Sequence, residues 1–127
     1  MAHVLVVDDD EITRTLVGRT LQDAGHEVMY AVDGSAALAR IERQDFDVVI
    51  TALAMPEMNG LRLIRHLSEA SNRIPVIAIS GQNAEQLLLA ADHGVSATLF
   101  KPVNPAPLLA AVEGACESTN VWADVWY

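Results

Sequence analysis

With 127 residues, 51% of them hydrophobic, the chain can bury the core of one ordinary domain, which excludes a disordered segment. A net charge of −9 excludes the clustered Lys/Arg surface that nucleic acid or an anionic membrane requires, and the single cysteine, Cys116, excludes a disulfide frame or a cysteine metal site. No apolar run approaches the ~20 residues that span a bilayer, and the first residues read as a strand rather than a signal peptide, so a soluble, cytoplasmic, single-domain protein is expected.

His3 to Val7 (HVLVV) is a short, β-branched apolar run, the pattern of a parallel strand buried on both faces. Asp8-Asp9-Asp10-Glu11 follows. Ile12, Leu16, Val17, Leu21 and Ala24 then recur at helical spacing, and Gly25 stands where a C′ glycine belongs. Glu27 to Ala31 is a weaker strand, expected at a sheet edge. Asp33-Gly34 signals a turn, and Ser35 is expected to cap a helix carrying Ala37, Leu38 and Ile41. Val48-Val49-Ile50 forms a third strand that ends at Ala52 and passes through Met55-Pro56 to a turn at Asn59-Gly60. Leu61, Ile64 and Leu67 give one face of the next helix, with Arg62, Arg65 and Glu69 largely outside it. Pro75 to Ser80 is a fourth strand, and Asn83 with Gln86 resembles a capping box for a helix running to Gly94. Ala97 to Phe100 is a fifth strand, ending at Lys101-Pro102. Asn104 caps, Pro105 takes the first helical position, and Leu108, Leu109 and Val112 carry the last helix to about Cys116.

This βα alternation, five times over, implies an α/β domain: a parallel sheet with helices on both faces and right-handed crossovers. In such sheets, sites collect beyond the C-terminal strand ends. Four strand ends here deliver Asp8 and Asp9, Ala52, Ser80, and Lys101. Two consecutive carboxylates repel each other and need a cation or solvent, and oxygen-only ligands favour a hard ion such as Mg²⁺. A lysine and a hydroxyl nearby suit the remaining oxygens of a phosphoryl group, so the set matches phosphoryl transfer without a nucleophile. Each part also has an ordinary reading. An acid pair before a helix is often a dipole partner, a serine before glycine a turn residue, and a lysine a solvated charge. The conjunction at four strand ends is what makes the pattern specific.

VLVVDDD at 4–10, DVVITALAMPEMNG at 47–60, PVIAISG at 75–81 and FKP at 100–102 resemble the receiver domain of a two-component response regulator, of the chemotaxis-regulator type, from about His3 to Cys116. The resemblance implies a doubly wound, flavodoxin-like (βα)5 fold with strand order 2-1-3-4-5. It implies a domain that takes phosphate from a histidine kinase or a histidine phosphotransfer protein and signals by a conformational shift. Such a domain assists its own phosphotransfer and is not otherwise an enzyme. Asp8 and Asp9 become the acidic pair, with Asp9 the direct Mg²⁺ ligand and the main-chain carbonyl of Ala54 a further one. Ser80 becomes the switch hydroxyl, and Lys101 the phosphoryl-binding lysine before a cis Pro102. The helix before Gly94, the strand at 97–100 and the last helix form the family's usual output and dimerisation face. A downstream protein target there, and a monomer or weak homodimer, are therefore expected.

Two positions depart from the pattern. The phospho-accepting aspartate falls at Ala52, where a methyl group can form no acyl phosphate and its absence weakens Mg²⁺ binding. Thr98 stands where the family often has the Tyr or Phe of an aromatic switch. Phe100 is close by, but strand alternation does not put it on the face opposite Thr98. Because Asp8, Asp9, Ser80 and Lys101 all remain, with Thr51 and Leu53 flanking the gap as usual, an engineered, non-phosphorylatable receiver is favoured over a natural pseudo-receiver serving as a phosphate-independent scaffold. A phosphohydrolase using Asp8 and Asp10 is a further alternative, for which the chain lacks room for a cap.

Of Leu87, Leu88 and Leu89, successive side chains span about 200° of helix, so not all can face the core. Residues 117–127, ESTNVWADVWY, lie beyond the resemblance and are set apart from a 1–116 receiver domain as a tail, in which Trp122 and Trp126 share a helical face.

Overall fold

The computed structural model describes residues 2–53, 55, 59–69, 74–81, 88, 90–92 and 94–125, with the backbone alone for 117–125. Five strands, β1 (His3–Val7), β2 (Glu27–Ala31), β3 (Val48–Ala52), β4 (Val76–Ser80) and β5 (Ala97–Phe100), form one parallel sheet in the order β2-β1-β3-β4-β5. Helices α1 (Glu11–Asp23), α2 (Gly34–Arg43) and α3 (Gly60–Glu69) follow the first three strands, and a C-terminal helix spans Pro105–Val125. Residues 88 and 90–92 are also helical. This is the flavodoxin-like arrangement, with β2 and β5 at the edges. Among the described residues, no helix is long and apolar enough to cross a membrane.

The central strands read as unbroken apolar runs because both faces are covered. Val4, Val6, Ile50, Ile77 and Ile79 pack with Val17 and Leu21 of α1 and with Leu108 and Val112 of the C-terminal helix. Leu5, Val7, Val49 and Ala78 pack on the other face with Ala37 of α2 and with Leu63, Ile64 and Leu67 of α3. Each fully buried Leu or Ile contributes about 1.5–3 kcal/mol, so these two layers dominate stability over any single polar contact.

Several local expectations change. Asp33, not Ser35, caps α2: its carboxylate accepts from the Ala36 N–H at 2.8 Å, and Ser35 lies inside the first turn. Helical spacing placed Ile12 and Leu16 with the core, yet they are 80% and 50% exposed, because Val17, Gly18 and Leu21 alone face the sheet. Leu63, not read as a core position, is fully buried on α3. The last helix does not stop near Cys116 but continues to Val125. Leu88 is 68% exposed while Ala90 is buried, and Leu87, Leu89 and the Asn83/Gln86 capping box lie outside the described residues. Gly25 and Gly94 both take positive φ, 94° and 81°, as helix-terminating glycines do.

Asp10 caps α1, with Oδ1 accepting from the Ile12 N–H at 3.2 Å and Oδ2 from the Thr13 hydroxyl at 2.6 Å. The Thr13 hydroxyl foremost, with the Ile12 N–H, holds the Asp10 carboxyl below the ordinary carboxylate value. A folded-state value below the unfolded one means that the cap stabilises above the unfolded pKa, about 4, and that this is lost as pH falls through the folded value. Asp10→Ala is accordingly expected to lower Tm by a constant amount at neutral and mildly acidic pH, with the difference from the parent closing below about pH 4. A thermal-unfolding series across pH checks this. Gly60 opens α3 against the end of β3, where its N–H donates to the Leu53 carbonyl at 2.9 Å. A Cβ there would collide with the Ala52 carbonyl oxygen and lie 2.7 Å from Leu53 Cα, both backbone. Gly60→Ala is expected to cost about 1–3 kcal/mol in urea unfolding.

Candidate functional site

The site forms where strand burial ends. β1 pairs with β3 through Val7 and Thr51, so the next residues, Asp8 and Ala52, leave the sheet side by side. The Asp8 N–H donates to the Ala31 carbonyl at 3.1 Å, which continues the β1–β2 ladder and holds the side chain at the sheet edge. Asp8 is 1% exposed. Its Oδ1 accepts from the Asp10 N–H at 2.9 Å, and its main-chain carbonyl accepts from the Arg14 guanidinium at 2.8 Å. Its Oδ2 is 3.0 Å from Lys101 Nζ. That oxygen has no aligned hydrogen bond among the described residues, so the ammonium acts on it mainly as a point charge.

Lys101 reaches Asp8 from the end of β5. Its N–H donates to the Ser80 carbonyl at 2.9 Å, which extends the β4–β5 ladder by one residue. Its stem then runs beside Gly81, where an added Cβ would sit 3.5 Å from Lys101 Cδ. The Lys101–Pro102 peptide is cis. Ser80 closes β4 and is 5% exposed. Ala52 closes β3 at 3% exposure, its carbonyl accepting from the Thr51 hydroxyl at 2.8 Å. Asp9 is exposed, beside Asp8 but outside the buried pair. Thr98 and Phe100 lie on the same outward face of β5, Phe100 at 60% exposure, while Ala97 and Leu99 turn to the core. Ala54 lies outside the described residues.

The strand ends thus bring Asp8, Ala52, Ser80 and Lys101 to one edge, with Asp8 and Lys101 in direct contact. The pair is mostly dry on the aspartate side, since the side chains are 2% and 25% exposed for Asp8 and Lys101. Its attraction largely offsets the desolvation of Asp8, and loss of Lys101 would leave a buried carboxylate uncompensated. Two contributors were not read from the sequence. Arg14 clamps the Asp8 carbonyl from the first turn of α1, a contact between side chain and backbone that no spacing rule signals. Asp10 stands among acidic neighbours, yet an Asp preceding a helix with Thr13 three residues on is a legible cap.

The response regulator receiver domain family matches residues 4–113. Among curated proteins, the CAI-1 autoinducer sensor kinase/phosphatase CqsS of Vibrio cholerae is 36% identical over 84% of this chain, and the transcriptional regulatory protein GlrR of Escherichia coli K12 is 33% identical over 93%. The matched regions are 16% and 27% of those proteins, so the chain spans only a fraction of their length. Among solved structures, the chemotaxis response regulator CheY4 of Vibrio cholerae superposes with a TM-score of 0.82 at 36% identity, covering 91% of this chain and 98% of that one. The receiver domain of NtrX from Brucella abortus gives 0.85 at 32%, covering 90% and 98%. A parallel sheet in the order 2-1-3-4-5, a match over most of the chain and relatives above 30% identity lead to one assignment: the chain belongs to the response regulator receiver domain family.

Proposed function

We propose that this chain is a two-component receiver whose phospho-acceptor position holds Ala52, a non-phosphorylatable module that meets its partners by surface contact. The observation that carries this reading is the Asp8–Lys101 ion pair at the same sheet edge as a buried methyl group. Phosphotransfer to a receiver requires a carboxylate oxygen to attack phosphorus. The methyl of Ala52 has no lone pair, so no acyl phosphate forms. Asp8, Asp9, Ser80 and Lys101 standing intact around one inert side chain support a single replacement in a working receiver, an engineered variant, over a natural pseudo-receiver.

Receiver domains bind Mg²⁺ at the phosphorylation site. The residues here fit that ion less well than an acceptor site would, because position 52 supplies no carboxylate. Among the described residues, no three of His, Cys, Asp and Glu converge. The buried Asp8 oxygen already faces an ammonium, and Asp9 is exposed beside it. Lys101 neutralises Asp8 in this arrangement.

The family supports a histidine kinase or phosphotransfer protein as the upstream partner, and one relative is by name a sensor kinase/phosphatase. Phe100 on β5 and Leu88, 60% and 68% exposed, support protein contact as the output route. A phosphohydrolase with Asp10 as its second acid is disfavoured, because both Asp10 oxygens are engaged in capping α1.

Ala52→Asp is expected to take label from acetyl phosphate with Mg²⁺, while the parent takes none. A folded Ala52→Asp protein that stays unlabelled would sink the receiver reading, and a labelled parent would sink the acceptor assignment. The new carboxylate enters a position 3% exposed beside Asp8, so this variant should also gain thermal stability on Mg²⁺ addition where the parent does not. Lys101→Met is expected to cost about 1–3 kcal/mol in urea unfolding by stranding the Asp8 charge. The double variant Asp8→Asn with Lys101→Met should recover part of that loss. Additive losses in the double variant would show that the ion pair carries no coupling.

A further inference from the structure

A second, unrelated feature sits at the open edge of β2. There side chains of α1 from one face of the sheet and of α2 from the other border an open depression of about 530 Å³, lined by Arg14, Thr15, Tyr30, Val32, Ala36 and Arg40. This volume falls in the range of small-molecule sites, about 300–1,000 Å³. Only eight Lys and Arg residues occur in a chain of net charge −9, and two of them face this one cleft. Both are half-buried, and among the described residues neither forms an ion pair with a carboxylate. Arg14 uses one nitrogen on the Asp8 carbonyl, leaving the rest of its fork for another acceptor. The position of Arg40 in the last turn of α2 suits the helix dipole, but that accounts for its place along the helix and not for its lining the same depression as Arg14.

The floor is also built. Tyr30 lies against Gly18 of α1, where any Cβ would collide with its hydroxyl. A glycine inside a helix costs about 1 kcal/mol relative to alanine, and here it admits the aromatic ring that walls the cleft. Val32, 52% exposed, adds apolar surface beside that ring. Two planar cations spaced around an apolar, aromatic floor match a ligand that is doubly anionic at one end and flat at the other.

We propose that this cleft binds a phosphorylated small molecule of the nucleotide class, with Arg14 and Arg40 on the phosphate oxygens and the base on Tyr30 and Val32. The proposal does not depend on the phosphoryl site, although Arg14 links the two through the Asp8 carbonyl. The test is a titration of the full ¹⁵N-labelled chain with AMP, inorganic phosphate and adenosine, read by amide shifts. AMP should give saturable shifts at Arg14, Thr15, Val32, Ala36 and Arg40, with phosphate and adenosine each binding at least about tenfold more weakly. Arg40→Gln should raise the AMP Kd by about tenfold or more, a loss of affinity that a purely helix-stabilising arginine would not produce. Absence of saturation by AMP, an AMP Kd unmoved by Arg40→Gln, or adenosine or phosphate binding as tightly as AMP overturns the proposal.

Discussion

The constraint on which this structure depends is that β1, β3 and β4 are buried on both faces. Inside such strands no polar side chain can be hydrated, so polarity is tolerated only where a strand leaves the sheet or where a partner is supplied. Among the described residues, the buried polar side chains are Asp8, Thr51 and Ser80. Thr51 meets its need locally, donating to the Ala52 carbonyl. Asp8 and Ser80 stand at strand ends. The site is therefore a consequence of the layered core: the same burial that makes the strands apolar crowds the remaining polar groups onto one edge.

At that edge Asp8 is the hub. Its N–H continues the sheet ladder, its carbonyl takes Arg14, one carboxylate oxygen orders the start of α1 through the Asp10 N–H, and the other meets Lys101. One residue thus ties β1, β2, α1 and β5 together. A carboxylate at position 52 would compete for the same ammonium and add a like charge beside Asp8, and such an edge would need a further cation. With a methyl group there, the buried pair is balanced by itself. A methyl group and a carboxylate at position 52 thus differ in the electrostatics of this edge as well as in chemistry.

The two sheet edges carry different surfaces. At β5, Phe100 is apolar and exposed, which suits protein contact. At β2, two guanidiniums and a tyrosine frame a concave cleft, which suits a small anion.

The sequence by itself determined the order of elements and, through the unbroken runs HVLVV, VVITA and PVIAIS, a parallel sheet covered on both sides. It also determined which residues reach the strand ends, because a run that stays apolar until Asp8, Ser80 or Lys101 places that residue at the edge. Some errors were local. Asp33 outcompeted Ser35 as a cap because its carboxylate reaches the Ala36 N–H, and Ile12 and Leu16 fit a helical period whose buried stripe is narrower than the period allows. What only the tertiary structure decided was who pairs with whom. That Lys101 reaches Asp8, that Arg14 holds its carbonyl and that Tyr30 rests on Gly18 join residues far apart in sequence or on different elements. Such contacts are set by strand order and by the twist and packing of the layers, which no local period or propensity encodes.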